Sequence, residues 1–292
     1  MEVRLAEHLG MCFGVRDAID LAVHLTRQGP LTILGDLVHN PDVVEQMESA
    51  GAVRARAQED IDTRAVLLTA HGTAQKVKQQ LRQSGLQVHD ATCPLVKRAH
   101  QALDRLVEEG RFPVVIGRRG HVEVNGLVGD HDQYAIILDE RDFDQLAGPV
   151  GQGRALGIVA QTTQPIAYVQ ELVDAIRRRF PTADVRFIDT VCQPTKDRQD
   201  AMDRLIGETE AIVVVGGPDS NNTRKLTELA RERSRPAYQV AHADELRAEW
   251  FEGIRVVGLT AGTSTPDAVV QEVQRRLEAM GEAARVSLAL TP

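Results

Sequence analysis

Short apolar runs alternate with segments of helical periodicity along the whole chain. The runs are LTILG at 31–35, AVLLTA at 65–70, FPVVIG at 112–117, LGIVAQ at 156–161, AIVVVG at 211–216 and RVVGLTA at 255–261. Between them, VKRAHQALDRLVEE at 96–109 and PDAVVQEVQRRLEAM at 266–280 carry apolar residues every three and four positions, which predicts amphipathic helices. Strand and helix alternating in this way predict an α/β fold with parallel sheets.

The chain also repeats itself, and self-similarity at long period signals repeated architecture. QALDRL at 101–106 matches DAMDRL at 200–205, with Asp104 and Asp203 each 11 residues after a cysteine, Cys93 or Cys192. After Cys12, Cys93 and Cys192 an apolar run ends in glycine, at Gly35, Gly117 and Gly216, which lie 23, 24 and 24 residues on. The polar loop beyond places His39, His121 and Ser220 at 27, 28 and 28 residues from the same cysteines. A second echo closes each copy, as TAHGT at 69–73, VAQTT at 159–163 and TAGTS at 260–264. Thr73, Thr163 and Ser264 align there, and a hydroxyl just before a helix predicts an N-cap. The simplest assembly is a trefoil of three similar α/β lobes, with small, mostly parallel sheets and flanking helices around a pseudo-threefold axis. The lobes read as 1–92, 93–191 and 192–280, followed by a C-terminal tail over 281–292.

Composition narrows the function. A formal charge of -8 and 3% aromatic residues argue against a nucleic-acid surface. Three cysteines without a close CxxC pair fit neither a disulfide framework nor a zinc ribbon, which predicts a reducing compartment, the cytoplasm. MEVRLAEHLG lacks the apolar stretch of a signal peptide, and no later segment approaches the roughly 18 apolar residues of a membrane span, so no membrane partner is expected. GQGRALG at 151–157 imitates part of a dinucleotide glycine motif but precedes a strand, where the motif follows one. Electrons are therefore expected one at a time from a separate redox protein.

One cysteine per lobe would bring three thiolates to a single centre. Soft thiolates select iron-sulfur clusters, zinc or copper(I), and three protein ligands leave a coordination position for substrate. On ligand type alone, zinc stays open beside iron. His39, His71 and His121 stand at strand ends near this expected centre. With Ser220, Asn222, Thr163 and Ser264 they make a ring of donors that suits a diphosphate held by hydrogen bonds. Glu123, two residues after His121, is a candidate proton donor if it faces a closed cavity, where a carboxyl pKa rises. A solvated surface glutamate is the plainer alternative.

Taken in combination and order, GMCFGV around Cys12, LVHNP around His39, TAHGT around His71, DATCPLV around Cys93, GHVEV around His121 and Glu123, and QTT at 161–163 carry a resemblance. Cys192 with Arg198-Gln199, DSNNT at 219–223 and TAGTSTPD at 260–267 extend it over nearly the whole chain. The sequence resembles the 4-hydroxy-3-methylbut-2-enyl diphosphate reductases of the non-mevalonate isoprenoid pathway. That resemblance implies a trefoil around one [4Fe-4S] cluster per chain, held by Cys12, Cys93 and Cys192, whose fourth iron is open to the substrate's hydroxyl oxygen. It implies that His39, His71, His121, Ser220, Asn222 and Ser264 bind the diphosphate, with Thr163 and Asn221 beside them. Glu123 would donate the proton, with Thr162 as its hydroxyl partner. The implied reaction is reductive dehydroxylation to isopentenyl and dimethylallyl diphosphate, fed by a one-electron donor such as ferredoxin or flavodoxin. Val122 and Asn125 depart from the family pattern HPEVEGT, and Asn221 stands where NSSNS has serine. A paralogue acting on another allylic or phosphorylated substrate is one rival. Others, from different classes, are a non-catalytic iron-sulfur sensor or electron carrier and a zinc-stabilised binding module.

Overall fold

The computed structural model describes residues 1–289, with side-chain environments to residue 283. The chain opens with β1 (Glu2–Leu5), α1 (Phe13–Thr26), β2 (Leu31–Leu34), α2 (Pro41–Ser49), β3 (Ala52–Ala55), β4 (Ala65–Leu68), α3 (Gln75–Gln83) and β5 (Gln87–Asp90). It continues through α4 (Pro94–Glu108), β6 (Phe112–Ile116), α5 (Val122–Val128), β7 (Ala135–Ile137), α6 (Asp144–Gly151), β8 (Leu156–Ala160), α7 (Ile166–Arg179) and β9 (Val185–Phe187). The last part is α8 (Gln193–Glu208), β10 (Ala211–Val215), α9 (Asn221–Glu232), β11 (Ala237–Val240), β12 (Val256–Ala261) and α10 (Asp267–Ala289).

These strands form three four-stranded parallel sheets with one shared order, β3-β2-β4-β5, β7-β6-β8-β9 and β11-β10-β12-β1. Two compact units hold them. One comprises Gly14–Val38 and Asp42–Cys192 and carries the first two sheets; the other comprises Met1–Phe13, His39–Pro41 and the chain from Gln193 onward and carries the third.

One boundary differs from expectation. β1 pairs with β12, from Glu2 opposite Val256 to Leu5 opposite Leu259, so the start of the chain belongs to the third sheet and not to a first lobe over 1–92. The reason lies in the repeat itself. The last strand of each sheet leads into a cysteine, β5 into Cys93 and β9 into Cys192, and β1 leads in the same way into Cys12. At the other end α10 runs through most of the expected tail over 281–292, whose residues 290–292 lie outside the described residues.

The central strands of the second and third sheets are covered on both faces. Phe112, Val114 and Ile116 of β6 face α7, while Val115 joins Leu103 and Leu106 of α4 and Leu127 of α5. Val213 and Val215 of β10 join Val270, Val273 and Leu277 of α10, while Ile212 and Val214 meet Met202 and Leu205 of α8. Two glycines show how closely the repeat is kept. A Cβ on Gly157 would lie 2.8 Å from Leu106, and one on Gly258 would lie 2.8 Å from Leu205, the leucines that end QALDRL and DAMDRL. Among the described residues, no helix is long and apolar enough to cross a membrane.

Candidate active site

Each cysteine stands directly before a helix, Cys12 before α1, Cys93 before α4 and Cys192 before α8. Each backbone N–H is tied to the loop after a central strand. Cys93 donates to Ala70 O at 3.1 Å, Cys192 to Thr162 O at 3.0 Å and Cys12 to Thr263 O at 2.9 Å. All three thiols are half-buried and none is in a disulfide. A helix start carries N–H groups without helical partners and favours negative charge, which suits thiolates. Aspartates shape two of the loops. Asp90 Oδ1 accepts from Thr92 N at 3.0 Å and from the Thr92 hydroxyl, and Asp189 Oδ1 accepts from Val191 N at 3.0 Å. Burial pushes the Asp90 carboxyl up, but the Thr92 donors and the Lys78 ammonium 3.0 Å away outweigh it and hold its pKa below the usual carboxylate range.

Room has been left at one sulfur. A Cβ on Gly14, at the start of α1, would run into Cys93 Sγ. Three soft donors at helix starts, one with a glycine packed against it, fit an iron-sulfur centre. Among the described residues, no three His, Cys, Asp or Glu side chains are grouped to share a single metal ion.

Thr162 connects a cysteine to the candidate acid. Its carbonyl accepts the Cys192 N–H, its own N–H donates to Glu123 Oε1 at 2.6 Å, and its hydroxyl donates to Glu123 Oε2 at 3.0 Å. Glu123 is 2% exposed, which removes the solvated alternative. Burial pushes its pKa up while both Thr162 donors pull it down; burial prevails and the pKa stands at about 7. His121 caps α5, its Nδ1 accepting from Glu123 N at 3.2 Å. With Nδ1 accepting, the neutral ring carries its proton on Nε2, which is thereby a donor. His71 lies edge-on to His121, with centroids 6.0 Å apart and planes at 87°. Thr163 Oγ1 accepts from Gln161 Nε2 at 3.1 Å.

The unit with the third sheet carries the remaining candidates. Ser220 caps α9, its Oγ accepting from Thr223 N at 3.3 Å. Asn221 and Asn222 open that helix, both buried. Asn221 Oδ1 accepts from Arg224 at 2.6 Å, whereas Asn222 Nδ2 has no hydrogen-bond partner among the described residues, a buried donor that a ligand would satisfy. Ser264 donates its hydroxyl to His39 O at 3.1 Å and so ties TAGTS to the loop before α2. Arg198 of α8, 6% exposed, donates to Gly10 O at 2.5 Å and Pro194 O at 2.8 Å.

The expected N-caps need correcting. Helix α3 begins at Gln75 after Ala74, α7 at Ile166 after Pro165, and α10 at Asp267, so Thr73, Thr163 and Ser264 stand one or two residues too early to cap them. Pro165 and Pro266 explain two of these delays, because the residue before proline is pushed out of the helical region. Side-chain caps fall instead in the other loop of the repeat, at His121 and Ser220. Sequence reasoning also missed Gly14 and the aspartate turns, although DATC at 90–93 and DTVC at 189–192 carried the signal for the turns.

Comparison with known proteins identifies the family. The sequence model of the family described as LytB protein matches residues 3–278. A 4-hydroxy-3-methylbut-2-enyl diphosphate reductase from Azotobacter vinelandii is 39% identical over 96% of this chain and 91% of its own length. One of the same name from Aquifex aeolicus is 34% identical over 98% of this chain and 99% of its own. Among solved structures, the E-1-hydroxy-2-methyl-but-2-enyl-4-diphosphate reductase of Plasmodium falciparum superposes with a TM-score of 0.88 at 26% identity, covering 95% of this chain and 87% of that one. A second, (E)-4-hydroxy-3-methyl-but-2-enyl diphosphate reductase, described as the terminal enzyme of the non-mevalonate pathway, gives 0.68 at 35% identity over 96% of this chain and 100% of that one. In sequence and in fold, the chain belongs to the LytB protein family, the family of these reductases.

Proposed function

We propose that this chain reduces 4-hydroxy-3-methylbut-2-enyl diphosphate, the substrate in its relatives' names, and that the products are isopentenyl and dimethylallyl diphosphate. The carrying observation is Thr162, one residue that holds both a buried carboxyl with a pKa of about 7 and the backbone of Cys192. Two contacts involve chain neighbours of the cysteines. Gly14, packed on the Cys93 sulfur, is two residues from Cys12, a reach of at most about 7 Å. Arg198 donates to carbonyls two residues before Cys12 and two after Cys192. We assign to Cys12, Cys93 and Cys192 a [4Fe-4S] cluster with one iron open.

When bound, such a cluster supplies electrons singly, received from a ferredoxin or flavodoxin in the cytoplasm, and a Lewis-acidic iron for the leaving oxygen. Removing the hydroxyl takes two electrons and two protons, one departing in water and one ending on carbon. We assign the first of these protons to Glu123. Thr162 N–H can only donate, so it fixes Oε1 as an acceptor and leaves Oε2 to carry the proton. The Thr162 hydroxyl turns from donor to acceptor when Oε2 is protonated, and back when the proton leaves, without backbone movement. His39, His71, His121, Ser220, Asn222 and Ser264 are assigned to the diphosphate, with Asn221 and Thr163 at its margin. His121 Nε2 and Asn222 Nδ2 support this as donors, and a hydrogen bond to a charged group contributes roughly 1.5–3 kcal/mol.

Anaerobic reconstitution with iron and sulfide, then turnover of 4-hydroxy-3-methylbut-2-enyl diphosphate with an artificial donor, tests the reading. Glu123→Gln is expected to slow turnover by about a hundredfold or more with the cluster spectrum intact. Near-normal turnover in that variant would remove Glu123 from the reaction, and zinc without sulfide in the anaerobically purified protein would remove the cluster.

A further inference from the structure

The three cysteine loops are anchored in two different ways. In DATC and DTVC the aspartate three residues before the cysteine accepts the N–H of the residue just before it, at 3.0 Å in both loops. The corresponding position before Cys12 is Leu9, whose side chain packs into the apolar cores of the third sheet and offers no acceptor. Here Gly10 makes the turn, with φ +72. Its N–H donates to Ala261 O at 3.3 Å, and its carbonyl receives Arg198 Nη2 at 2.5 Å. The other arm of the same buried guanidinium reaches Pro194 O at 2.8 Å, in the first turn of the helix that Cys192 leads into. A guanidinium presents its donors as a rigid planar fork, so two carbonyls held by it are fixed relative to each other.

We propose that Arg198 is a positioning residue for the cluster ligands. It substitutes in the first loop for the aspartate clamp of the other two, and it locks the Cys12 loop to the start of α8. Burying a guanidinium is costly unless its hydrogen bonds are well made, and two backbone carbonyls flanking cysteine segments make it specific to this place. Lysine keeps the charge but cannot hold both carbonyls in a planar fork. The inference rests on the reading of Cys12 and Cys192 as ligands.

The test compares wild type, Arg198→Gln, Arg198→Lys, Cys12→Ala and Arg235→Gln after anaerobic reconstitution. Arg235 is the control, since it supports the far end of α8 by donating to Ile206 O at 3.0 Å. Three readouts are taken: chelator-driven iron loss, the EPR spectrum of the reduced cluster, and hydrogen exchange at residues 10–13 of the apo-protein. Arg198→Gln should lose iron about tenfold faster or more, the scale for residues that orient metal ligands, with an altered EPR spectrum and faster exchange at residues 10–13. Arg198→Lys should fall between it and wild type, and Arg235→Gln should match wild type in EPR and iron retention even if it melts earlier. Unchanged EPR, iron retention and exchange in Arg198→Gln would overturn the proposal; if that variant does not fold, the same comparison with Arg198→Lys decides. Cys12→Ala separates the two levels. If it retains iron like wild type, the ligand assignment falls and the inference with it; if it loses the cluster while the Arg198 variants behave as wild type, only the inference falls.

Discussion

Glu123 illustrates what a single residue's surroundings add to its identity. GHVEV marks it as a candidate acid, but only the fold supplies the burial that lifts its pKa to about 7. The sign of the stability effect follows. Between the ordinary value near 4.5 and about 7 the folded state binds more protons than the unfolded one, so this residue's contribution to stability falls as pH rises through that window. By pH 8 the loss amounts to roughly 3 kcal/mol as an upper bound. Glu123→Gln apo-protein should therefore melt above wild type at pH 8 and converge with it near pH 4.5, as calorimetry would show. His100 acts oppositely: burial, then the Lys78 charge, holds its pKa at about 4, so it disfavours the fold as pH drops below the usual histidine range. In turnover, the protonated form of Glu123 disappears above pH 7, and the rate should fall toward tenfold per pH unit on the alkaline side. A flat alkaline profile in the wild type would mean that another group limits the proton supply.

Among the elements, legibility divided along the sheets. The six runs read as strands became β2, β4, β6, β8, β10 and β12, the two inner strands of every sheet, largely buried and mostly apolar. None of the outer strands was read, because segments such as QVHD and VRF are three or four residues long, partly exposed and mixed in polarity. The helix starts were misplaced where proline delayed them, and the glycine on Cys93 was invisible because closeness across the fold leaves no local pattern. That contact yields a paired prediction. Gly14→Ala should block cluster uptake, since its methyl group would occupy the space of the Cys93 sulfur, and the absence of the cluster absorption band after reconstitution would report it. Gly207→Ala, inside α8 with nothing within 4 Å of the added methyl, should instead stabilise the apo-protein by about 0.5–1 kcal/mol in urea titration. Normal cluster uptake by Gly14→Ala would show that the sulfur yields to the methyl group.

For the molecule as a whole, the cysteine-to-cysteine spacing disclosed a threefold repeat but not where the repeat begins. The strand before the first cysteine, β1, pairs with β12, so residues about 250 positions apart close the third sheet. Deleting residues 1–6 should expose the β12 edge and strip Met1 and Val3 from the core beside α10, and circular dichroism should show early, broadened melting. The same closure sets a schedule for the nascent polypeptide. Glu2–Leu5 leaves the ribosome about 250 residues ahead of its partners Val256–Leu259, which at ordinary translation speeds is roughly ten seconds to a minute. Throughout that wait a strand must remain single without sticking to its neighbours, and the charges of Glu2 and Arg4 in a segment only four residues long are suited to keeping it so.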